Sequence, residues 1–126
     1  MDLKKLTIGA RYKSFRCALR GIAAVIRTQP NTWYMLAGTV GTVIAGVAFR
    51  IEALEWGLVC SAITLVWMGE IFNSALEFLT DLVSPEHHPL AEKTKDAAAG
   101  AVFLAVCYSL AIAAIVFGPR LLALVP

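Results

Sequence analysis

The segment GEIFNSALEFLTD, residues 69 to 81, places Glu70, Glu77 and Asp81 directly behind thirteen uncharged residues, Trp56 to Met68. An acid inside an apolar span costs about 2.5 kcal/mol or more at the membrane centre, so three in succession need an arrangement that relieves the cost. A helix provides one. At roughly 100° per residue, Glu70, Asn73, Ser74, Glu77 and Asp81 fall within an arc of about 100°. Ile71, Phe72, Leu76, Phe78 and Leu79 cover the other faces. The acids can turn inward while the apolar residues meet lipid or neighbouring helices. The competing interpretation is a structural seam, in which Asn73 and Ser74 hydrogen-bond across helices and the acids sit at the membrane interface. Asp81, nearest the following loop, is the acid that solvent alone could satisfy.

The rest of the chain suits that reading. Of its 126 residues, 59% are hydrophobic and 16% charged, against an apolar share of about half in an ordinary soluble domain. No Ser/Pro/Gly-rich linker divides it, so residues 1–126 are expected to form one membrane domain. The net charge of +2 hides an asymmetry, because seven of the eleven Lys and Arg residues lie in the first 27 positions beside a single acid, Asp2. Ile8, Tyr12, Phe15, Leu19, Ile22 and Ile26 recur there at helical spacing, with Arg11, Lys13, Arg16, Arg20 and Arg27 between them. Residues 1–29 are therefore expected as an amphipathic surface helix facing anionic lipid rather than nucleic acid. They lack the continuous apolar core of a removable signal peptide. Cys17, Cys60 and Cys107 have no metal-type spacing and are expected as reduced packing residues.

Three transmembrane helices are predicted, over 33–49, 56–82 and 97–117. Gln29-Pro30-Asn31 marks the turn before the first, and Gly118-Pro119-Arg120 ends the third. Gly38, Thr42 and Gly46 form a small-residue stripe suited to close helix contact. Residues 50–55 read as a short polar hairpin. The N-terminal segment and the expected 83–96 loop hold nine Lys or Arg, the hairpin and C-terminus only Arg50 and Arg120. The positive-inside rule therefore makes the N-terminus cytoplasmic and the C-terminus extracytoplasmic.

PEHHPLAEKTKDAAAGA, residues 85 to 101, follows the polar stripe and puts Glu86, His87, His88, Lys93, Lys95 and Asp96 on the same rim. Lys95 could neutralise a phosphate, and carboxylates on the adjoining helix could hold a divalent cation that bridges phosphate oxygens. Paired acids would also fit a small proton or cation pathway, or a structural membrane subunit. The lysines favour a polyphosphate. Adjacent His87 and His88 lack a Cys or i,i+4 His partner for zinc and suit a loop contact to nucleotide. No phosphate-binding Gly-rich loop, dinucleotide fingerprint or nucleophile elbow is present, so any nucleotide chemistry must use another architecture.

The combination Glu70-x-x-Asn73-Ser74-Ala75-x-Glu77-x-x-x-Asp81, then PEHHPL at 85–90 and KDAAAGA at 95–101, resembles the signature of the prokaryotic diacylglycerol kinase family, which includes undecaprenol kinases. With the opening SFRCALRG at 14–21, the resemblance spans about residues 14 to 120. It implies an all-α integral membrane protein of the bacterial inner membrane, a homotrimer with active sites between subunits. It also implies phosphate transfer from ATP, with Mg2+, to a membrane lipid alcohol. The EHHPL loop and the LEW hairpin look more like the undecaprenol branch, with diacylglycerol second. Carried over by position, Glu70 is the catalytic base and Glu77 a magnesium ligand. Lys95 and Asp96 contact nucleotide, Lys95 on phosphate, and Glu86, His87 and His88 form a nucleotide-facing loop. Asn73 and Ser74 support the site. Two positions depart from the pattern. Gln29 stands where the family usually has a glutamate completing the metal site, which keeps an oxygen ligand but removes a charge. Cys17 stands where it usually has a tyrosine against the nucleotide.

Overall fold

The computed structural model describes residues 8–124, which form α1 (Ile8–Thr28), α2 (Asn31–Ala48), α3 (Ala53–Val83) and α4 (Pro89–Leu122). Among the described residues there is no strand. The expected surface segment before Ile8, residues 1–7, lies outside them.

Each boundary has a local cause. Pro30 has no N–H to offer the Ile26 carbonyl, so α1 stops there. The Thr32 hydroxyl fills the gap, lying 3.1 Å from the Ile26 carbonyl and 2.6 Å from that of Gln29. At the end of α2, Ile51 N–H donates to the Gly46 carbonyl and Arg50 N–H to that of Val47, with Arg50 at φ 51°. This is a Schellman ending. Arginine carries a penalty of roughly 1 kcal/mol in that left-handed geometry, which burial of Ile51 offsets. Glu52 and Glu55 form a reciprocal capping box that opens α3. Pro89 opens α4 at a position where its missing N–H does no harm.

The expected 83–96 loop is much shorter than the sequence suggested, because α4 begins at Pro89 and carries Lys95 and Asp96 on its second turn. Nor does Gly118-Pro119-Arg120 end the helix. Pro119 lies inside the last turns of α4, where Arg120 braces the end by donating to the Val116 carbonyl at 2.6 Å and to both Glu55 oxygens at 2.8 and 2.7 Å. This bidentate pair fastens the C-terminal end of α4 to the start of α3.

α3 and α4 form the principal helix pair. Its apolar core sits at the end near the α2–α3 turn, where Ile51, Val59, Ala62, Ile112, Val116 and Phe117 pack together. At 1.5 Å per residue the two helices are about 46 and 51 Å long, enough to cross a hydrocarbon layer of about 30 Å and emerge from it. Only 28% and 17% of their most apolar windows are buried, so Phe72, Phe103, Leu104 and Ile115 are left facing outward. Core helices of a soluble protein would be mostly covered. The cysteines face outward too, which corrects their expected role as packing residues; they fall on helix faces that no other described element covers.

Two helices, α3 and α4, are long and apolar enough to cross a membrane among the described residues. The predicted first span, 33–49, does not meet that standard by itself. α2 has 18 residues, about 27 Å of helix, and Asn31, Thr32, Thr39 and Thr42 dilute its hydropathy. Its small-residue stripe is used unevenly. A Cβ at Gly46 would lie 2.7 Å from the Trp56 ring, whereas one at Gly38 would meet nothing within 4 Å. Gly46→Ala should therefore lower stability by about 1–2 kcal/mol, overpacking against the indole outweighing the gain in helix propensity. Gly38→Ala should be neutral or stabilising. Thermal unfolding in micelles reads both, and a larger fall for Gly38→Ala would show another chain seated on the stripe.

Candidate active site

The polar stripe of α3 lies at the end of the helix pair opposite the apolar core. Glu70, Asn73, Ser74 and Thr80 are buried and Glu77 is half-buried. α4 runs close alongside at Gly69, where a Cβ would sit in ordinary van der Waals contact with the Val102 Cα at 3.5 Å. Glu70 is 4% exposed, and its carboxylate has no hydrogen-bond partner among the described residues. It is near enough to Glu77 for their charges to oppose each other.

Glu77 is held on both sides. Gln29 Nε2 donates to its Oε2 at 2.8 Å, and Asn73 Nδ2 donates to its Oε1 at 3.1 Å. The turn at Pro30 thus brings a residue 48 positions away onto the stripe. Among the described residues Asn73 Oδ1 and Ser74 Oγ are buried with no partner, an expensive state for polar atoms unless something else meets them.

One turn further along α3, Asp81 accepts a hydrogen bond from Lys95 Nζ at 2.6 Å. This pair borders a polar cavity of about 310 Å³ whose walls include Glu86, His87, His88 and Glu92. Four of the expected nucleotide residues, Glu86, His87, His88 and Lys95, therefore share one cavity. Their settings differ. His88 Nδ1 caps α4 by accepting from Leu90 N–H at 3.1 Å, while His87 Nε2 lies 3.8 Å from Glu92 Oε2. Asp96 is exposed on α4. Cys17 is also exposed, about 18 Å along the α1 axis from Gln29.

For a magnesium ion, the donors around Glu77 are one carboxylate and two carboxamides. These are hard oxygen sources, and magnesium usually takes only one or two protein carboxylates, completed by phosphate and water. Among the described residues no group of three or more His, Cys, Asp or Glu side chains gathers. The set fits magnesium that arrives with phosphate, provided the amides present oxygen.

Sequence reasoning missed Thr32, Thr80 and Glu92. Thr32 had a signal, a hydroxyl two residues beyond a helix-breaking proline. Thr80 bonds to its own helix through the Leu76 carbonyl while lining the cavity, and had none.

The family model for prokaryotic diacylglycerol kinase matches residues 16–117. The chain is 36% identical over 110 residues to the undecaprenol kinase of Bacillus subtilis (strain 168), covering 87% of this chain and 89% of that protein. It is 37% identical over 110 residues to a diacylglycerol kinase of Synechocystis, covering 86% of this chain and 60% of that one. Against the diacylglycerol kinase of Escherichia coli (strain K12) it is 36% identical over 56 residues, 44% of this chain and 46% of the other. With its apolar helices and the acidic stripe of α3, the chain belongs to the prokaryotic diacylglycerol kinase family of membrane proteins.

Proposed function

We propose that this protein is a lipid kinase that transfers the γ-phosphate of ATP to the hydroxyl of undecaprenol or diacylglycerol. The observation that carries the reading is the continuity of the site along α3. A buried Glu70, without a hydrogen-bond partner among the described residues, leads through Asn73 and Glu77 to the cavity bordered by Lys95. Beyond Glu70 the buried side chains Ala62 and Val59 are apolar, which favours a site at one end of the helix pair over a cation pathway through it. Undecaprenol is the preferred acceptor, because the relative of that name is matched over 89% of its length.

In the reaction, the lipid hydroxyl oxygen bonds to the γ-phosphorus, the bond to the β,γ-bridging oxygen breaks, and ADP leaves. Glu70 accepts the hydroxyl proton. Its carboxylate suits this role because no other group holds its lone pairs. Lys95 balances charge on phosphate oxygens, with Asp81 orienting its ammonium. Glu77 would hold magnesium with Gln29 and Asn73 beside it; bound there, the ion supplies charge neutralisation at the phosphates. Glu86, His87 and His88 line the nucleotide side, Asp96 and Cys17 would meet only the part of a nucleotide that extends beyond that cavity, and Ser74 supports the acceptor side. α2 completes a three-span subunit in the inner membrane, N-terminus cytoplasmic and C-terminus extracytoplasmic. A homotrimer covers the open stripe at Gly38 and Thr42.

Lys95→Met should raise KM for ATP by about tenfold or more, the worth of a charge-assisted hydrogen bond. Asp81→Asn should change it by less than about fivefold, because the pair is largely exposed and screened by solvent. Steady-state kinetics with ATP varied checks both. The reading as a whole is tested by offering both lipids in mixed micelles with γ-labelled ATP. Labelled lipid is expected, chiefly from undecaprenol, and its absence with both acceptors refutes the proposal.

A further inference from the structure

The two carboxamides around Glu77 both present nitrogen. Gln29 Nε2 lies 2.8 Å from Oε2 and Asn73 Nδ2 lies 3.1 Å from Oε1. A carboxylate accepts such donors readily, but a cation needs lone pairs and would meet amide protons instead. Each amide can exchange its ends by a half-turn about its last bond. That turn gives up the hydrogen bond to Glu77.

For Gln29 this bond matters to the fold. Its backbone is fixed, with its N–H donating to the Val25 carbonyl at 2.9 Å and its own carbonyl 2.6 Å from the Thr32 hydroxyl. The side chain is thereby aimed at α3. Apart from it α1 has little grip, since Val25 is its one buried side chain among the described residues.

We propose that Gln29 is a metal-independent latch. Its amide N–H docks α1 on α3 when no cation is present. Cation binding at Glu77 requires that amide to turn over and present oxygen. A free divalent cation therefore binds poorly, and the site takes magnesium only when phosphate oxygens complete the ion's shell. A glutamate at this position would reverse both properties. Two carboxylates in contact repel, so docking would need the ion, and the added charge would bind it directly. The inference rests on the proposed function only in taking Glu77 as the place where phosphate-borne magnesium is met.

The test uses the full chain in lipid nanodiscs with neither ATP nor acceptor, so a failed latch and a failed kinase reading are distinguishable. Hydrogen exchange over residues 22–32 reports docking, and electron spin resonance of free Mn2+ reports cation binding. In the wild type, exchange should be the same in EDTA and in Mg2+. In Gln29→Glu it should be about tenfold faster in EDTA and return to the wild-type rate in Mg2+, and in Gln29→Ala it should be faster in both. Mn2+ should bind Gln29→Glu at least about tenfold more tightly than the wild type. Wild-type docking that is lost in EDTA, equal Mn2+ affinity in the two proteins, or unchanged exchange in Gln29→Ala overturns the proposal.

Discussion

Glu70→Gln should reduce lipid phosphorylation by about a thousandfold while leaving ATP affinity within about twofold. General base catalysis contributes roughly 10²- to 10⁴-fold, and it acts only where a proton is moving in the transition state. Glutamine keeps the size and polarity of the side chain, so packing against α4 near Gly69 should survive. What disappears is the basicity needed to take the hydroxyl proton, since an amide oxygen accepts hydrogen bonds but is a far weaker base than a carboxylate. Glu70 is buried and makes no hydrogen bond among the described residues, so the neutral amide should fold at least as well as the acid. Turnover and equilibrium nucleotide binding, measured on the same preparation, check this. An equal loss of both would assign Glu70 to nucleotide binding instead.

Glu77→Ala should lower turnover by about a hundredfold or more and also reduce stability. The two effects have different causes and can be separated. The activity loss reflects removal of charge that positions magnesium and phosphate, for which single electrostatic groups are worth about 10² to 10³ in rate. The stability loss follows because Gln29 Nε2 and Asn73 Nδ2 both lose their acceptor; each stranded donor costs about 1–3 kcal/mol when buried. Glu77→Gln tells them apart, since it retains an acceptor oxygen but no charge. Its melting temperature should lie nearer the wild type, and its turnover should stay near that of the alanine variant. Recovery of turnover in Glu77→Gln would mean that the side chain only holds the helices together.

Helical spacing alone put Glu70, Asn73, Ser74, Glu77 and Asp81 on one face of α3, because the burial cost of the acids leaves them few other places. The same reasoning marked the turn at Pro30, where a missing N–H is a local fact. Tertiary partners were beyond its reach. Sequence position makes Asp81 an acid that solvent alone could satisfy, yet it accepts a hydrogen bond from Lys95, and that contact exists only because α4 starts early at Pro89 and brings its second turn beside α3. Gln29 was expected to offer an oxygen and instead donates a hydrogen bond to Glu77. Residue type cannot tell which end of an amide a neighbour will select. Pro119 suggested a helix end, but its consequence is local and Arg120 holds the last turns against Glu55. The span over 33–49 was read from its lack of charge, although glycine and threonine lower hydropathy without adding any.

The most direct measurement is the stoichiometry of label transfer by the wild-type protein in nanodiscs containing undecaprenol. One lipid monophosphate should form for each ADP released, and Glu70→Gln should suppress both products together. ADP released without phosphorylated lipid, or phosphorylated lipid formed at an undiminished rate by Glu70→Gln, would contradict the assignment of this stripe as the active site of a lipid kinase.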